Sequence, residues 1–149
     1  MRDSQYNSTV LDRARIKNKN TFVYFLDMEV NRARRYRDFF SIILLRLMKP
    51  ACHPQDATME AACNKLKEVL AQEARETDIL GTMGEDEIAI LLPYANAESA
   101  ELAQHRFNDL LASYVIVNEG PEINFKRVCF PSDGTTGVDI LKKMLDIPS

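Results

Sequence analysis

Apolar positions along the chain fall into helical stripes and unbroken runs, and the two kinds of pattern lay out the elements in order. After Asn20, a candidate N-cap, Phe22, Val23, Leu26, Val30 and Ala33 recur at helical spacing. Arg32, Arg34, Arg35 and Arg37 form a basic run there, read as a solvated helix face before an anion site. Residues 39–47 are apolar nearly throughout, as in a central strand covered on both faces. A loop over 49–57 with Pro50 and Pro54 precedes an amphipathic helix over 58–74. Its inner face is Met59, Ala62, Cys63, Leu66, Val69 and Leu70, and Thr58 is its candidate cap. Ile79 and Leu80 then lead into a tip containing Gly81, Gly84 and three carboxylates, and a β-branched run from Ile88 to Leu92 closes at Pro93. That is a hairpin pattern.

The next helix is predicted over 97–111, capped by Asn96, with Glu98 and Glu101 suited to its first turn. Ala100, Ala103, Phe107, Leu110 and Leu111 point inward, while His105 lies on the polar side with no role assigned. Two strands, 114–117 and 123–130, join through a turn-rich connection containing Gly120 and Pro121, and a short helix around Ile140 and Leu141 ends the pattern. Residues 1–16 are polar and mixed in charge, read as a tail or the end of an upstream linker helix, and 17–149 as one domain. The order predicts an α/β fold, a central mixed β-sheet flanked by helices.

Composition narrows the function classes. At 149 residues and 46% hydrophobic, the chain can bury a substantial single core. A net charge of −3 argues against general nucleic-acid binding. Cys52, Cys63 and Cys129 are irregularly spaced, and Cys52 with His53 has no second pair to complete a zinc site, which suits ordinary thiols in a reducing cytoplasm. No apolar run reaches the eighteen or so residues of a membrane span, and no signal-peptide pattern is present. A cytoplasmic domain without membrane contact is the expectation, and a membrane-bound parent protein is compatible with it.

The hairpin also carries a motif. Arg75 and Asp78 are followed, after five residues, by Gly84, Glu85, Asp86, Glu87 and Ile88. This resembles the signature of GGDEF (diguanylate cyclase) domains, in which R-x-x-D precedes G-G-(D/E)-E-F at that spacing. Asn18, Lys19 and Phe22, then Glu29, Arg32, Ala33, Arg35 and Tyr36, are similar to the family's opening helix, so the resemblance covers most of the chain. It implies the three-layer, nucleotidyl-cyclase-like architecture of that family.

The resemblance implies a degenerate member. The family's first magnesium-binding aspartate corresponds to Arg46, a reversal of charge. Two unit charges about 4 Å apart interact by roughly 1 to 4 kcal/mol between water and surface dielectrics, and the metal is divalent. Glu85 replaces the glycine that lets the nucleotide approach, Asn124 and Lys126 replace the family's S-x-G, and the base-reading letters before and within the second helix are missing, Asp56 being a solitary remnant. Catalytic residues are therefore none, and no cofactor is expected; magnesium at Asp86 and Glu87 would be weak at most. Arg75 and Asp78 match the family's inhibitory cyclic di-GMP site, which is separate from catalysis, and Arg106 is a candidate for the further arginine such sites need. Two readings of Arg75 and Asp78 stand side by side: a ligand site, or a helix-end ion pair worth at most about 1 kcal/mol. The functional expectation is a catalytically inactive bacterial signalling domain that binds cyclic di-GMP. Its alternative is a ligand-free dimerisation or protein-interaction module, with a second copy or an upstream sensor domain as partner, and a residual cyclase ranks behind both.

Overall fold

The computed structural model describes residues 15–48, 57–84, 86–118 and 122–145, with backbone only at 57–59, 62 and 114–118. Strand β1 (Ile16–Lys17) opens it and helix α1 (Lys19–Tyr36) follows. Next come β2 (Phe40–Met48), α2 (Ala57–Glu73) and a hairpin of β3 (Ile79–Gly84) and β4 (Glu87–Pro93). Helix α3 (Ala97–Asn118), strand β5 (Glu122–Phe130) and helix α4 (Gly137–Met144) complete the order. The sheet runs β1-β3-β4-β2-β5, parallel between β1 and β3 and antiparallel elsewhere. This is the mixed α/β architecture expected from the sequence.

Strand β2 explains the unbroken apolar run. Its side chains alternate between two cores: Ile43, Leu45 and Leu47 meet Leu66 and Leu70 of α2 and Phe107 and Leu111 of α3. Phe40, Ile42 and Leu44 face Phe22, Leu26 and Val30 of α1 and Ile140 and Met144 of α4. A strand buried on both faces cannot alternate apolar with polar residues, so its period is hidden.

The elements differ from the sequence reading at several points, and β1 was not foreseen. The cap of α1 is Asn18, in extended backbone, whose Oδ1 accepts from the Thr21 N–H at 2.8 Å; Asn20 lies inside the first turn. Helix α2 begins at Ala57, which puts Thr58 in its first turn too. Gly81 is not at the hairpin tip but in β3, opposite Ala89, where a Cβ would lie 2.6 Å from Phe22. Residues 114–117 are not a strand, because α3 continues to Asn118. Tyr and Val cost a growing helix only roughly half a kcal/mol each relative to Ala, whereas propagation gains one backbone bond per residue. Asn96 does cap α3, its Oδ1 accepting from the Ser99 N–H at 2.8 Å. Cys52, His53 and Asp56 lie outside the described residues.

Candidate functional site

Helix α2 ends where the Ala74 N–H still bonds the Leu70 carbonyl, and the chain then turns through Arg75 to Asp78. The turn closes on itself. The Asp78 N–H donates to the Arg75 carbonyl at 3.0 Å, and the Arg75 N–H donates to Asp78 Oδ2 at 2.8 Å. Asp78 is only 7% exposed, so its carboxylate is a buried acceptor that organises the turn, and its partner is the Arg75 backbone. Burial pushes its pKa up; the bond from Arg75 and the charges of Arg75, Arg106 and Arg15 oppose that rise.

Beside this turn, the end of β4 and the first turns of α3 enclose a cleft of about 530 Å³. Arg75, Asp78 and Arg106 line it together, along with Tyr94, Ser99 and Leu102. Helix α3 delivers Arg106 because Phe107, the next residue, is wholly buried in the core; the Arg106 guanidinium lies 4.9 Å from the Phe107 ring centroid. A cleft with two exposed guanidinium groups and a buried carboxylate can grip a ligand that offers acceptors and N–H donors together.

Tyr94 is a feature that the sequence pattern did not single out. It is 63% exposed and held at φ 64°, left-handed backbone that a bulky residue seldom adopts. The Arg32 guanidinium lies 4.3 Å from its ring centroid, within cation–π range. Arg32 is itself fixed by Glu29, at 2.6 and 3.0 Å, and by Asp38 at 2.9 Å. The hydrogen bond to Glu29 chiefly raises the Arg32 pKa further, and the bond from Arg32 holds the Asp38 carboxyl below its ordinary value. One arginine of the basic run is thus a structural anchor.

At the hairpin tip, Arg46 sits directly opposite Glu87 across β2 and β4. Arg46 Nε donates to Glu87 Oε2 at 2.8 Å, and Nη2 reaches the same oxygen. The Leu47 N–H donates to the Asp86 carbonyl at 2.8 Å, stitching the tip to β2. Glu85 lies outside the described residues. Asn124 is the register partner of Arg46 on β5, and Lys126 Nζ donates to the Lys143 carbonyl of α4. Among the described residues, no three His, Cys, Asp or Glu side chains gather as metal ligands, and no helix is long and apolar enough to cross a membrane. His105 does have a neighbouring carboxylate, Glu101 at 3.9 Å one turn earlier, in an exposed pair.

No family model matches the chain, and no curated protein does. Solved structures do. The fold is that of GGDEF domains. The active GGEEF domain of a diguanylate cyclase from Vibrio cholerae superposes with a TM-score of 0.75 at 15% identity, over 88% of this chain and 87% of that one. The GGDEF domain of FimX from Pseudomonas aeruginosa gives 0.73 at 14%, covering 88% and 85%. The GGDEF domain of DgcB from Caulobacter crescentus, solved in complex with c-di-GMP, gives 0.66 at 13%, covering 88% and 80%. At such identities the likeness speaks for the course of the GGDEF backbone, and the chemistry must be argued from this chain's own side chains.

Proposed function

We propose that the chain is a GGDEF-type signalling domain that has lost diguanylate cyclase chemistry and binds cyclic di-GMP in the cleft of Arg75, Asp78 and Arg106. The observation that carries this reading is the meeting of the Arg75–Asp78 turn with Arg106, from the following helix, in one cleft. A guanidinium fork donates to guanine O6 and N7, and a carboxylate accepts from the base's N1 and N2 hydrogens. A carboxylate accepts several hydrogen bonds, so the bond that Asp78 Oδ2 takes from Arg75 leaves it capacity for a base. That a GGDEF domain of the same fold was solved with c-di-GMP supports the choice of ligand.

The described residues at the hairpin argue against a magnesium centre. A guanidinium occupies the β2 position where the family carries a metal-binding carboxylate, and it pairs with Glu87, the signature acid that would otherwise face the cation. Metal-free nucleotide sensing follows from this reading; the cytoplasm and an upstream sensor domain are its proposed setting. One observation favours docking instead: Tyr24, Met28 and Tyr36 of α1 are 62%, 50% and 67% exposed, which is apolar surface available to a second copy or a partner.

Calorimetric titration of cyclic di-GMP into the wild-type, Arg75→Ala and Arg106→Ala proteins tests the proposal. Saturable binding in the wild type, lost in both variants, is the expected result. Absence of heat and of thermal stabilisation in the wild type would sink the ligand reading and leave the docking module in front. Product formed from GTP and magnesium would overturn the loss of catalysis.

A further inference from the structure

We propose that Arg15 is a positioning residue for the Arg75–Asp78 turn, so that this residue, leading into β1, acts on the affinity of the cleft; this rests on the ligand reading above. The Arg15 guanidinium gathers four carbonyls. Its Nη1 donates to Ala71 O at 2.5 Å and Ala74 O at 3.1 Å, and its Nη2 to Arg75 O at 2.5 Å and Asp78 O at 3.3 Å. Ala71 is in the last turn of α2 and Ala74 just follows it, and that turn contains no basic side chain to meet its orphan carbonyls. The other two are the first and last residues of the turn itself. One planar group thus joins the helix end to both ends of the turn, which a lysine, with a compact ammonium, cannot reproduce.

Arg15 is held in place from the other side by β1. Ile16 pairs with Leu80 and Lys17 with Gly81, in parallel register, and Ile16 packs on the core of α2 and α3. Advancing or withdrawing β1 therefore moves the guanidinium relative to the turn. The turn is also thinly backed. Asp78 lines the main cleft on one side and a cavity of about 260 Å³ on the other, shared with Arg15, Lys17, Phe25, Glu76 and Ile79. Apart from these four hydrogen bonds, the turn's own two bonds and the charges of Arg75 and Arg106 near Asp78 also hold it. Arg15 touches no ligand atom in this scheme; it fixes where Arg75 and Asp78 present theirs. By linkage, a ligand that prefers the clamped turn also steadies β1.

The test compares wild type, Arg15→Ala and Arg15→Lys, each first shown folded by an unchanged circular dichroism spectrum. Amide exchange by NMR is read at Arg75 and Asp78, with Ile43 and Ile90 as core controls, and cyclic di-GMP affinity is measured well below the unfolding temperature. The expected result is exchange at Arg75 and Asp78 accelerated about 10-fold or more in Arg15→Ala with the controls unmoved, and affinity weakened by a similar factor. Arg15→Lys, which keeps the charge and loses the fork, falls between; if Arg15→Ala does not fold, the lysine variant carries the comparison. Unchanged exchange at the turn overturns the proposal. So does faster exchange with unchanged affinity, which would make Arg15 a helix cap and nothing more. If the wild type binds no cyclic di-GMP, the ligand reading fails and the affinity role of Arg15 with it, while the exchange data still decide whether Arg15 holds the turn.

Discussion

Gly81 and Asp78 show how much single residues decide in this domain. Gly81 leaves space for Phe22: a Cβ there would sit 2.6 Å from Cβ and Cδ1 of that wholly buried side chain of α1. Gly81→Ala is expected to lower stability by about 1–3 kcal/mol through overpacking, measured as a lower urea midpoint at unchanged slope. Asp78 gives a dependence on pH. Its folded pKa is raised, chiefly by burial, so the folded state binds the proton more tightly than the unfolded chain does. Its contribution to stability is full below the ordinary aspartate range and is lost as pH rises through the raised value. On the proposed reading ligand binding runs the other way, because the base would need the ionised carboxylate. Affinity for cyclic di-GMP is expected to fall on acidification sooner than an unperturbed aspartate would dictate. Titrations across the acidic range should show that limb in wild type and not in Asp78→Asn, where the remaining affinity should be weak and flat.

Among the elements, those with strong periodicity were legible and their ends were not. The stripe of Phe22, Leu26, Val30 and Ala33 records which face of α1 is buried, since burial selects the apolar positions. Caps are less legible because Asn18 and Asn20 are the same residue type two apart, and backbone geometry alone chooses between them. The stretch from Tyr114 to Val117 suits a strand by composition and became helix by continuation. The hairpin was legible through the apolar runs that flank its glycines and carboxylates. The pairing of Arg46 with Glu87 was not legible, because it needed the register of β2 and β4. Because Arg46 is about half exposed, Arg46→Ala is expected to cost no more than about 1 kcal/mol, read from the thermal midpoint. A larger loss would mean that the tip depends on this pair for its shape.

For the whole molecule, the sheet with a layer of helices on each face was foreseeable from the order of patterns, whereas the cleft was not. Arg106, Tyr94 and Arg15 reach the same end of the fold from three distant segments, and Arg15 does so through backbone carbonyls 56 to 63 residues away. Carbonyl partners leave no trace in side-chain patterning, which is why Arg15, in a stretch that reads as a tail, can hold the Arg75–Asp78 turn. The same strand order has a consequence for solubility. Strand β5 closes one side of the sheet with nine residues, and among the described residues no strand lies beyond it. Such a margin offers a row of backbone donors and acceptors to any other extended chain. Glu122, Lys126 and Arg127 interrupt its apolar residues with charge, the usual guard against edge-to-edge growth. Arg127→Val, which removes one guard from an exposed position, is expected to leave folding intact and to raise light scattering on concentration or mild heating. The strand that completes the sheet is thus also where the molecule must refuse to extend it.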